Sequence, residues 1–411
     1  MVDQRRIDDQ RWVDAQTAAR SLGIQVRSLY AYVSRGQIRS VPGARGRPRL
    51  YSREDLARLE TRRDARSGHG AVAAGALRWG EPVLDSAITA ITPRGPIYRG
   101  RAAVDLAAAG TPFENVAELL WSGYLPGERI TWPRPVIPLA QVSRLIPAGA
   151  GPLEVMAMLV QIAGLADPDR GDRRPDAIIS RGRRLVPLLA AGLAPGLAAA
   201  SFTRALGAGS VAEIAARALG LDDDAPPILE RVFVLLADHE LNASSFTARI
   251  AASTEADPYA CVTAALATLS GPRHGRASEE VARFAEEVGG PDAARSAVRA
   301  LRKRGLLPPE FGHPLYPDGE PRAAALLECV RGSGVRRVRT LLAIVDATTD
   351  ARPNADIGLA AVTAALGAPP SAAPGLFAVA RTAGWLAHAL EQRAAGFLLR
   401  PRARYTGVPV A

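Results

Sequence analysis

Cysteine, lysine and aromatic residues are scarce in this sequence of 411 residues. Its two cysteines, Cys261 and Cys329, lie far apart in apolar stretches and lack the spacing of a metal-ligand motif. This scarcity excludes a disulfide framework and favours a reducing compartment. Lys303 is the only lysine among 51 basic residues, which is typical of a GC-rich genome rather than of a functional device.

Long uninterrupted apolar runs and an N-terminal leader are also lacking. The longest apolar stretch, residues 185–202, contains Pro187 and Pro195, so it fits a buried helical pair better than a membrane span. The chain does not open with a charged segment followed by an apolar one, and we expect a cytoplasmic protein. Aromatic residues make up only 5% and alanine is abundant, which favours an all-α fold.

The positive charge is concentrated near the N-terminus. The formal net charge is +10, and residues 1–70 hold fifteen arginines against eight acidic residues. Such a surplus suits a polyanionic partner such as nucleic acid, but it also suits a solvated basic surface. Charge alone does not decide between these two interpretations.

The first part of the chain has the pattern of a small DNA-binding module. Apolar spacing predicts one helix over residues 13–23 and a second over residues 25–35, which is helix-turn-helix spacing. Two short strands around a turn at residues 42–48 predict a wing, and Ser52 is the expected N-cap of a third helix.

This module resembles the winged helix-turn-helix of MerR-type regulators and phage excisionases. The resemblance implies DNA contacts from the recognition helix and from the wing, whose arginines would meet phosphates or the minor groove. The alternative is a module that serves only for packing or dimerisation. The expected DNA-binding residues are Arg27, Ser28 and Tyr30 on the helix and Arg45, Arg47 and Arg49 in the wing.

Three of the five histidines lie in polar clusters later in the chain. The clusters are residues 238–244, 271–275 and 311–314, and the last two are rich in glycine and proline, where a backbone approaches a ligand closely. Arginines at positions 381 and 400 and an Asn-Ala-Asp sequence at 354–356 follow. From the residues alone, these patterns indicate an anion-binding site.

The same segments resemble citrate synthases, block by block. Residues 236–254 look nearly identical to the oxaloacetate-binding helix region of that family. The resemblance covers residues from about 90 to 411, and within this range residues 130–225 match only loosely. The other matching blocks, which follow in family order, are residues 98–100, 105–106 and 119–126, then 271–275, 312–316 with 321–322, 354–356, 381–388 and 400–403.

The resemblance implies an all-α fold with citrate-synthase-like large and small helical domains, preceded by a small winged helix-turn-helix domain. The small domain would close over the substrates, and the protein would be a homodimer. The predicted boundaries are 1–66 for the winged module, 67–75 for a linker, 76–266 with 365–411 for the large domain, and 267–364 for the small domain.

Carried over by position, the resemblance also implies the roles of seven residues. His274 would stabilise the enol oxygen of the acyl-CoA, Asp356 would remove its α-proton, and His313 would polarise the oxaloacetate carbonyl. A weakly acidic thioester needs such a base and donor together. Oxaloacetate, a dianion, suits guanidinium groups. The expected substrate-binding residues are His239, Arg322, Arg381 and, from the partner subunit, Arg400.

Taken singly, each of these residues has an ordinary structural explanation, such as a helix cap, a surface arginine or a core histidine. Five positions depart from the family pattern, and we expect them around the acyl-CoA side. They are Arg273 (usually Leu), Arg276 (usually Gly or apolar), Ser278 (usually Asn), Pro314 (an Arg in many bacterial members) and Glu320 (usually Asp).

The function implied is condensation of acetyl-CoA with oxaloacetate to citrate, a step of the tricarboxylic acid cycle, with propionyl-CoA and 2-methylcitrate as the close rival. The coenzyme A thioester is a substrate, so no cofactor and no metal is expected. The alternative is a DNA-binding transcription regulator whose synthase-like body senses a CoA ester or a dicarboxylate.

Overall fold

Two units make up the structure, a computed structural model: one within residues 1–85 and one within residues 86–411. Each is described by itself. The residues whose structure is described are 12–22, 24–34, 37–42, 48–53, 55–56, 59, 84–135, 143–147, 149–195 and 199–401.

The first unit has the predicted helix-turn-helix, followed by the predicted pair of strands. Asp14 begins the first helix by accepting the backbone N–H of Thr17 (2.8 Å), as an N-cap aspartate does. The strand pair is extended by a third strand that the sequence did not predict, so the antiparallel order is β1-β3-β2. The elements are β1 Trp12–Val13, α1 Ala15–Ser21, α2 Val26–Ser34, β2 Ser40–Val41 and β3 Leu50–Ser52.

The second unit is mostly helical and opens with a small antiparallel sheet, β4-β5-β6, in which Thr92 pairs with Gly95. Its strands are β4 Thr89–Thr92, β5 Gly95–Tyr98 and β6 Arg101–Ala102. Its helices are α3 Ala103–Ala108, α4 Phe113–Ser122, α5 Pro152–Ala166, α6 Pro175–Ala191, α7 Ala199–Ala205, α8 Val211–Leu219, α9 Ala225–Leu236, α10 Ala243–Ser253, α11 Pro258–Leu269, α12 Ala277–Val288, α13 Ala294–Lys303 (after a 3-10 turn, Pro291–Ala293), α14 Pro321–Glu328, α15 Arg336–Ala347, α16 Ala355–Ala365 and α17 Ala372–Ala395.

The last helix, α17, is the centre of the second unit. It packs against α4, α5, α6, α9, α10 and α11, and most of its side chains are buried because small alanine and glycine residues allow neighbouring helices to approach closely. Trp121 of α4 donates its indole N–H to the carbonyl of Ala383 (2.8 Å). The helix ends where Gly396 takes a left-handed conformation (φ 71°), which glycine adopts without strain.

Tyr98, at the end of β5, joins the small sheet to the end of α9. Its side chain is fully buried, and its hydroxyl lies 3.1 Å from the carbonyl oxygens of Val234, Leu235 and Asp238. Helix α9 ends at Leu236, and of these three carbonyls that of Val234 also accepts the N–H of Ala237 (3.5 Å). The Tyr98 hydroxyl thus meets carbonyls at and just beyond a helix end, where regular helix bonds stop. Burial raises the pKa of the Tyr98 hydroxyl, so it remains a hydrogen-bond donor that fixes the chain before residue 239.

Helices α12 to α16 pack mainly against one another. Helix α16 contacts α12, α14 and α15, and α15 also contacts α12 and α13. The predicted small domain, residues 267–364, contains these five helices apart from the last residue of α16. Within the described ranges, no helix has the length and apolar composition needed to cross a bilayer.

Candidate active site

Six of the seven residues predicted for catalysis and substrate binding lie around one region of the second unit. Arg322 is in the first turn of α14 and Arg381 is in the middle of α17. Asp356 is in the first turn of α16. The three histidines lie on connections: His239 between α9 and α10, His274 between α11 and α12, and His313 before α14.

His239, His313 and Tyr316 form a close cluster of rings. The two histidine rings are 5.5 Å apart between centroids and almost perpendicular, and His239 Nε2 lies 2.9 Å from the Tyr316 hydroxyl. Burial, with a further contribution from the charges of Arg322 and Arg381, lowers the pKa of His239 well below its ordinary value. His239 is therefore a neutral ring at neutral pH.

The tautomer of His313 follows from one backbone contact. The N–H of Leu315 donates to His313 Nδ1 (3.2 Å), so this nitrogen is the acceptor of a neutral ring and Nε2 carries the hydrogen. Burial lowers the pKa of His313 despite the nearby carboxylate of Glu320. The half-buried ring thus offers a neutral N–H donor on its Nε2 side.

Arg322 is held by a buried carboxylate. Its guanidinium bonds Glu320 through Nε and Nη2, and the second oxygen of Glu320 accepts the backbone N–H of Ala355 (2.9 Å) at the start of α16. Although burial opposes the charged form, the pKa of Arg322 stays above its ordinary value because Glu320 lies beside it. Glu320 therefore fixes Arg322 and the first turn of the helix that carries Asp356.

Arg381 is held from two sides and is only 1% exposed. Its Nε donates to the carbonyl of Leu236 (2.8 Å), and its guanidinium carbon lies 4.4 Å from the ring centroid of Phe377, one turn earlier on the same helix. Burial lowers the pKa of Arg381 to about 10, with Asp238 opposing that shift. The group stays a cation at neutral pH.

Each of these two arginines has a nitrogen without a partner. Arg322 Nη1 and Arg381 Nη1 are buried and make no hydrogen bond among the described residues. A buried charged donor without an acceptor is costly, and it points to a ligand that supplies one. Two such cations beside neutral histidines suit a small dicarboxylate.

The carboxylate of Asp356 is positioned by two loops that pair with each other. Phe311 bridges Pro353, and the N–H of Asn354 donates to the carbonyl of Glu310 (3.1 Å). The Asn354 side chain caps α16 by accepting the N–H of Asp356 (2.9 Å). Burial, together with the carboxylates of Glu310 and Glu320, raises the pKa of Asp356 to about 8, which makes it a base suited to near-neutral pH.

His274 faces this region from the other side. Its Nε2 lies 2.8 Å from the Ser244 hydroxyl, which also accepts the indole N–H of Trp385 (3.1 Å). Its ring stands edge-on to Phe377, with centroids 6.1 Å apart. Burial lowers the pKa of His274 to about 4, with a smaller contribution from Arg381. Because Nε2 is engaged by Ser244, Nδ1 is the nitrogen left to face a ligand.

Two neighbours in the site were not predicted. Phe377 precedes Arg381 by four residues, and this helical spacing was the available signal. Glu310, whose carboxylate accepts a hydrogen bond from the side-chain amide of Asn354 (2.6 Å), left no signal in the sequence, because the two residues are 44 positions apart and only folding brings them together.

The remaining predicted positions are placed as follows. Arg400 lies on the exposed chain after α17 and makes no hydrogen bond or ion pair with the other six residues in the part of the chain described here. Among the departures from the family pattern, Arg273 and Pro314 are exposed, Ser278 is buried, and Arg276 pairs with Glu154 (2.6 Å). Glu320 is an exception to the expected acyl-CoA side, because it bonds Arg322, which was predicted to bind oxaloacetate.

In the first unit, Arg27 and Tyr30 are exposed on α2, with 57% of Tyr30 accessible, whereas Ser28 is half-buried. Arg49, also exposed, donates to the hydroxyl of Ser40 (3.3 Å) across the strand pair. The wing residues Arg45 and Arg47 lie outside the described residues.

Comparisons with known proteins agree with both units. Residues 76–402 match a family model described as citrate synthase, C-terminal domain, and residues 15–71 match MerR HTH family regulatory protein. The chain is 30% identical to 2-methylcitrate synthase 1 of Corynebacterium glutamicum, over 76% of this chain and 89% of the relative. It is 31% identical to citrate synthase 2 of Bacillus subtilis, over 74% and 88%.

Among solved structures, the crystal structure of citrate synthase from Thermotoga maritima superposes with a TM-score of 0.67 at 25% identity, covering 81% of this chain and 95% of that one. The citrate synthase of Pyrobaculum aerophilum superposes with a TM-score of 0.65 at 26% identity, covering 80% and 92%. These similarities confirm the predicted fold class.

The unpartnered arginine nitrogens predict dicarboxylate binding. Oxaloacetate at about 100 times its Kd is expected to raise the melting temperature by about 5 °C, whereas pyruvate, which has one carboxylate, is expected to raise it far less. Arg322→Lys keeps the positive charge but has no nitrogen at the position of the unpartnered Nη1. The rise in melting temperature with oxaloacetate should therefore largely disappear in this variant. The exposed Arg331→Lys is the matched control, and equal shifts in the two variants would contradict the assignment.

Proposed function

Because the chain belongs to the citrate synthase family, we propose that it condenses a short acyl-CoA with oxaloacetate and hydrolyses the product thioester. The observation that carries this proposal is the raised pKa of Asp356 opposite two buried arginines with unpartnered nitrogens. The Asp356 carboxylate can take a proton from carbon, and the two arginines can hold a dianion.

Oxaloacetate is bound first in this proposal. The Nη1 groups of Arg322 and Arg381 donate to its two carboxylates, and His239 adds a neutral donor or acceptor next to them. His313 then donates its Nε2 hydrogen to the ketone oxygen, which makes the carbonyl carbon more electrophilic. The backbone N–H of Leu315 supports this role, since it keeps Nδ1 as the acceptor.

The acyl-CoA is activated by Asp356 and His274. Asp356 takes the α-proton, and the C–H electron pair becomes the carbon–carbon double bond of the enol. The Ser244 hydroxyl turns its hydrogen from Asn242 to Nε2 of His274, so that Nδ1 carries the ring hydrogen and donates it to the thioester oxygen. The enol carbon attacks the ketone carbon, and the ketone oxygen takes up a proton from the His313 side. Water then cleaves the thioester, so free CoA and the tricarboxylate leave. The coenzyme A thioester is a substrate, and the proposed reaction uses no cofactor.

We further propose that the functional unit is a homodimer to which Arg400 contributes across subunits. Its exposed position on the chain after α17 is consistent with that role. The outward faces of α10 and α11 support such an association, because they carry small or apolar residues such as Ile250 and Ala267 instead of charges. A cytoplasmic location is consistent with the two free cysteines.

Acetyl-CoA is the proposed donor, with propionyl-CoA as the rival. We expect CoA thiol release in the presence of oxaloacetate, with kcat/KM for acetyl-CoA about tenfold above that for propionyl-CoA, as one methylene allows. His274→Ala is expected to abolish release, while His69→Ala in the predicted linker keeps it. A preference for propionyl-CoA would make the chain a 2-methylcitrate synthase, and no release with either thioester would overturn the proposal.

The pKa of Asp356 predicts the pH dependence of the reaction. The base works only when ionised, and its pKa is raised to about 8, so kcat/KM for the acyl-CoA should rise with pH between 6 and 8 and level off above. Glu310→Gln removes a neighbouring negative charge and is expected to move this limb to lower pH, whereas the exposed Asp346→Asn leaves it in place. A profile that is flat from pH 6 to 9 would exclude Asp356 as the base.

A second function is favoured by the first unit. Its match to MerR-type regulators and its exposed Arg27, Tyr30 and Arg49 support DNA binding, and a regulator whose body senses a CoA ester or dicarboxylate is compatible with catalysis. Phosphate contacts from these arginines would dominate the affinity.

DNA binding is tested with the full chain and a fluorescent 30-base-pair duplex of random sequence. The affinity is expected to fall linearly with the logarithm of salt concentration, and Arg27→Ala with Arg49→Ala should weaken it and reduce the slope by about 2. Arg331→Ala on the second unit is the control. Absence of binding at low salt, or an unchanged slope in the double variant, would remove the regulator hypothesis.

A further inference from the structure

A buried carboxylate–imidazole pair next to the proposed oxaloacetate site takes no part in the reaction described above. The side chains of Asp238 and His388 are both 0% exposed, and Nε2 of His388 lies 3.3 Å from Oδ1 of Asp238. Among the described residues, neither that oxygen nor either ring nitrogen makes a hydrogen bond, so this contact is a close polar approach without hydrogen-bond geometry. The two groups therefore depend on each other.

The other oxygen of Asp238 holds the turn that carries His239. Oδ2 accepts the backbone N–H of Glu240 (3.1 Å), and Glu240 has a left-handed conformation (φ 55°) that is unusual for a residue with a side chain. A strained turn persists only where neighbouring contacts hold it. The Asp238 carboxylate is such a contact, and His239 lies between the two bonded residues.

The charge of Arg381 also acts on the Asp238 carboxylate, whose pKa it lowers. Arg381 and His388 are seven residues apart on α17, which places them on one face of the helix, two turns apart. Gly384 lies between them and donates its N–H to the carbonyl of Ala237 (3.1 Å). A β-carbon at Gly384 would overlap Oδ1 of Asp238, so glycine allows the helix to approach this carboxylate.

The pKa of the Asp238 carboxylate depends on its two polar neighbours. His388 and Arg381 hold the pKa of Asp238 below its ordinary value against the effect of burial. Without a partner at position 388, Arg381 is the cation left to compensate a buried carboxylate. Its guanidinium would then turn towards Asp238, and a nitrogen meant for the substrate would be lost.

We infer that His388 is a positioning residue for oxaloacetate, which acts through Asp238 to hold the His239 turn and to leave Arg381 free for the substrate. This inference rests on the proposed function. It assigns to His388 no contact with the substrate, so its effect belongs to binding of oxaloacetate and not to the acyl-CoA.

The test compares two substitutions at one position. His388→Leu removes the partner of Asp238 and is expected to raise KM for oxaloacetate about tenfold, as the loss of a buried polar contact does, with a smaller change in kcat and no change in KM for the acyl-CoA. His388→Gln keeps an N–H that reaches Asp238, so KM for oxaloacetate should return to within about twofold of the wild type.

Gln392→Leu is the matched control, because Gln392 is buried one turn later on the same helix and bonds Arg249 instead. It is expected to lower the melting temperature without changing KM for oxaloacetate. An unchanged KM in folded His388→Leu would overturn the inference, and so would a Gln variant that behaves like Leu.

If His388→Leu does not fold, the test uses the double variant Asp238→Asn with His388→Leu, which removes both members of the pair. If His388 acts through the Asp238 carboxylate, His388→Leu should change KM for oxaloacetate little once that carboxylate is gone, so the double variant should have the KM of Asp238→Asn alone. A further rise of about tenfold in the double variant over Asp238→Asn would overturn the inference. If the wild type released no CoA, the proposed function would fail first. The oxaloacetate-induced shift in melting temperature, compared between wild type and His388→Leu, would then decide the positioning role separately.

Discussion

Two guanidinium groups almost entirely removed from water are the constraint on which the site depends. Arg322 and Arg381 are 4% and 1% exposed, and a buried cation is stable only with compensating charge and hydrogen bonds. Arg322 bonds the buried carboxylate of Glu320, and the buried charge of Asp238 favours the cationic form of Arg381 without a hydrogen bond to it. Each arginine also keeps one nitrogen free. The fold thus supplies enough negative charge to keep the cations inside and leaves donors for a dianionic ligand.

The same charges set the state of the acid–base groups around them. The cations lower the pKa of His239 and His274 in addition to the effect of burial, so these rings stay neutral and serve as hydrogen-bond donors or acceptors. The carboxylates of Glu310 and Glu320 act on Asp356 in the opposite sense. One arrangement of buried charge therefore yields neutral histidines and a basic aspartate in the same cleft.

The local patterns of the sequence predicted much of this structure. Alanine content and apolar spacing predicted the helical fold class, which is confirmed. The family blocks predicted six side chains that the fold brings together, although their roles remain proposals. Contacts between distant segments were beyond reach. No pattern indicated that the hydroxyl of Tyr98 meets Asp238, 140 residues later, that Glu310 meets Asn354, or that Trp12–Val13 adds a strand to the wing.

The contacts of the short segment 237–239 also bear on how the protein is made. Tyr98 from the first hairpin of the second unit and Gly384 from its last helix both bind this segment. The turn that presents His239 is therefore enclosed only after α17, which ends at Ala395, has left the ribosome. Contacts of such long sequence separation form slowly. Until they form, apolar surfaces that α17 later covers stay accessible, and exposed apolar surface of this kind is what chaperones bind on nascent chains.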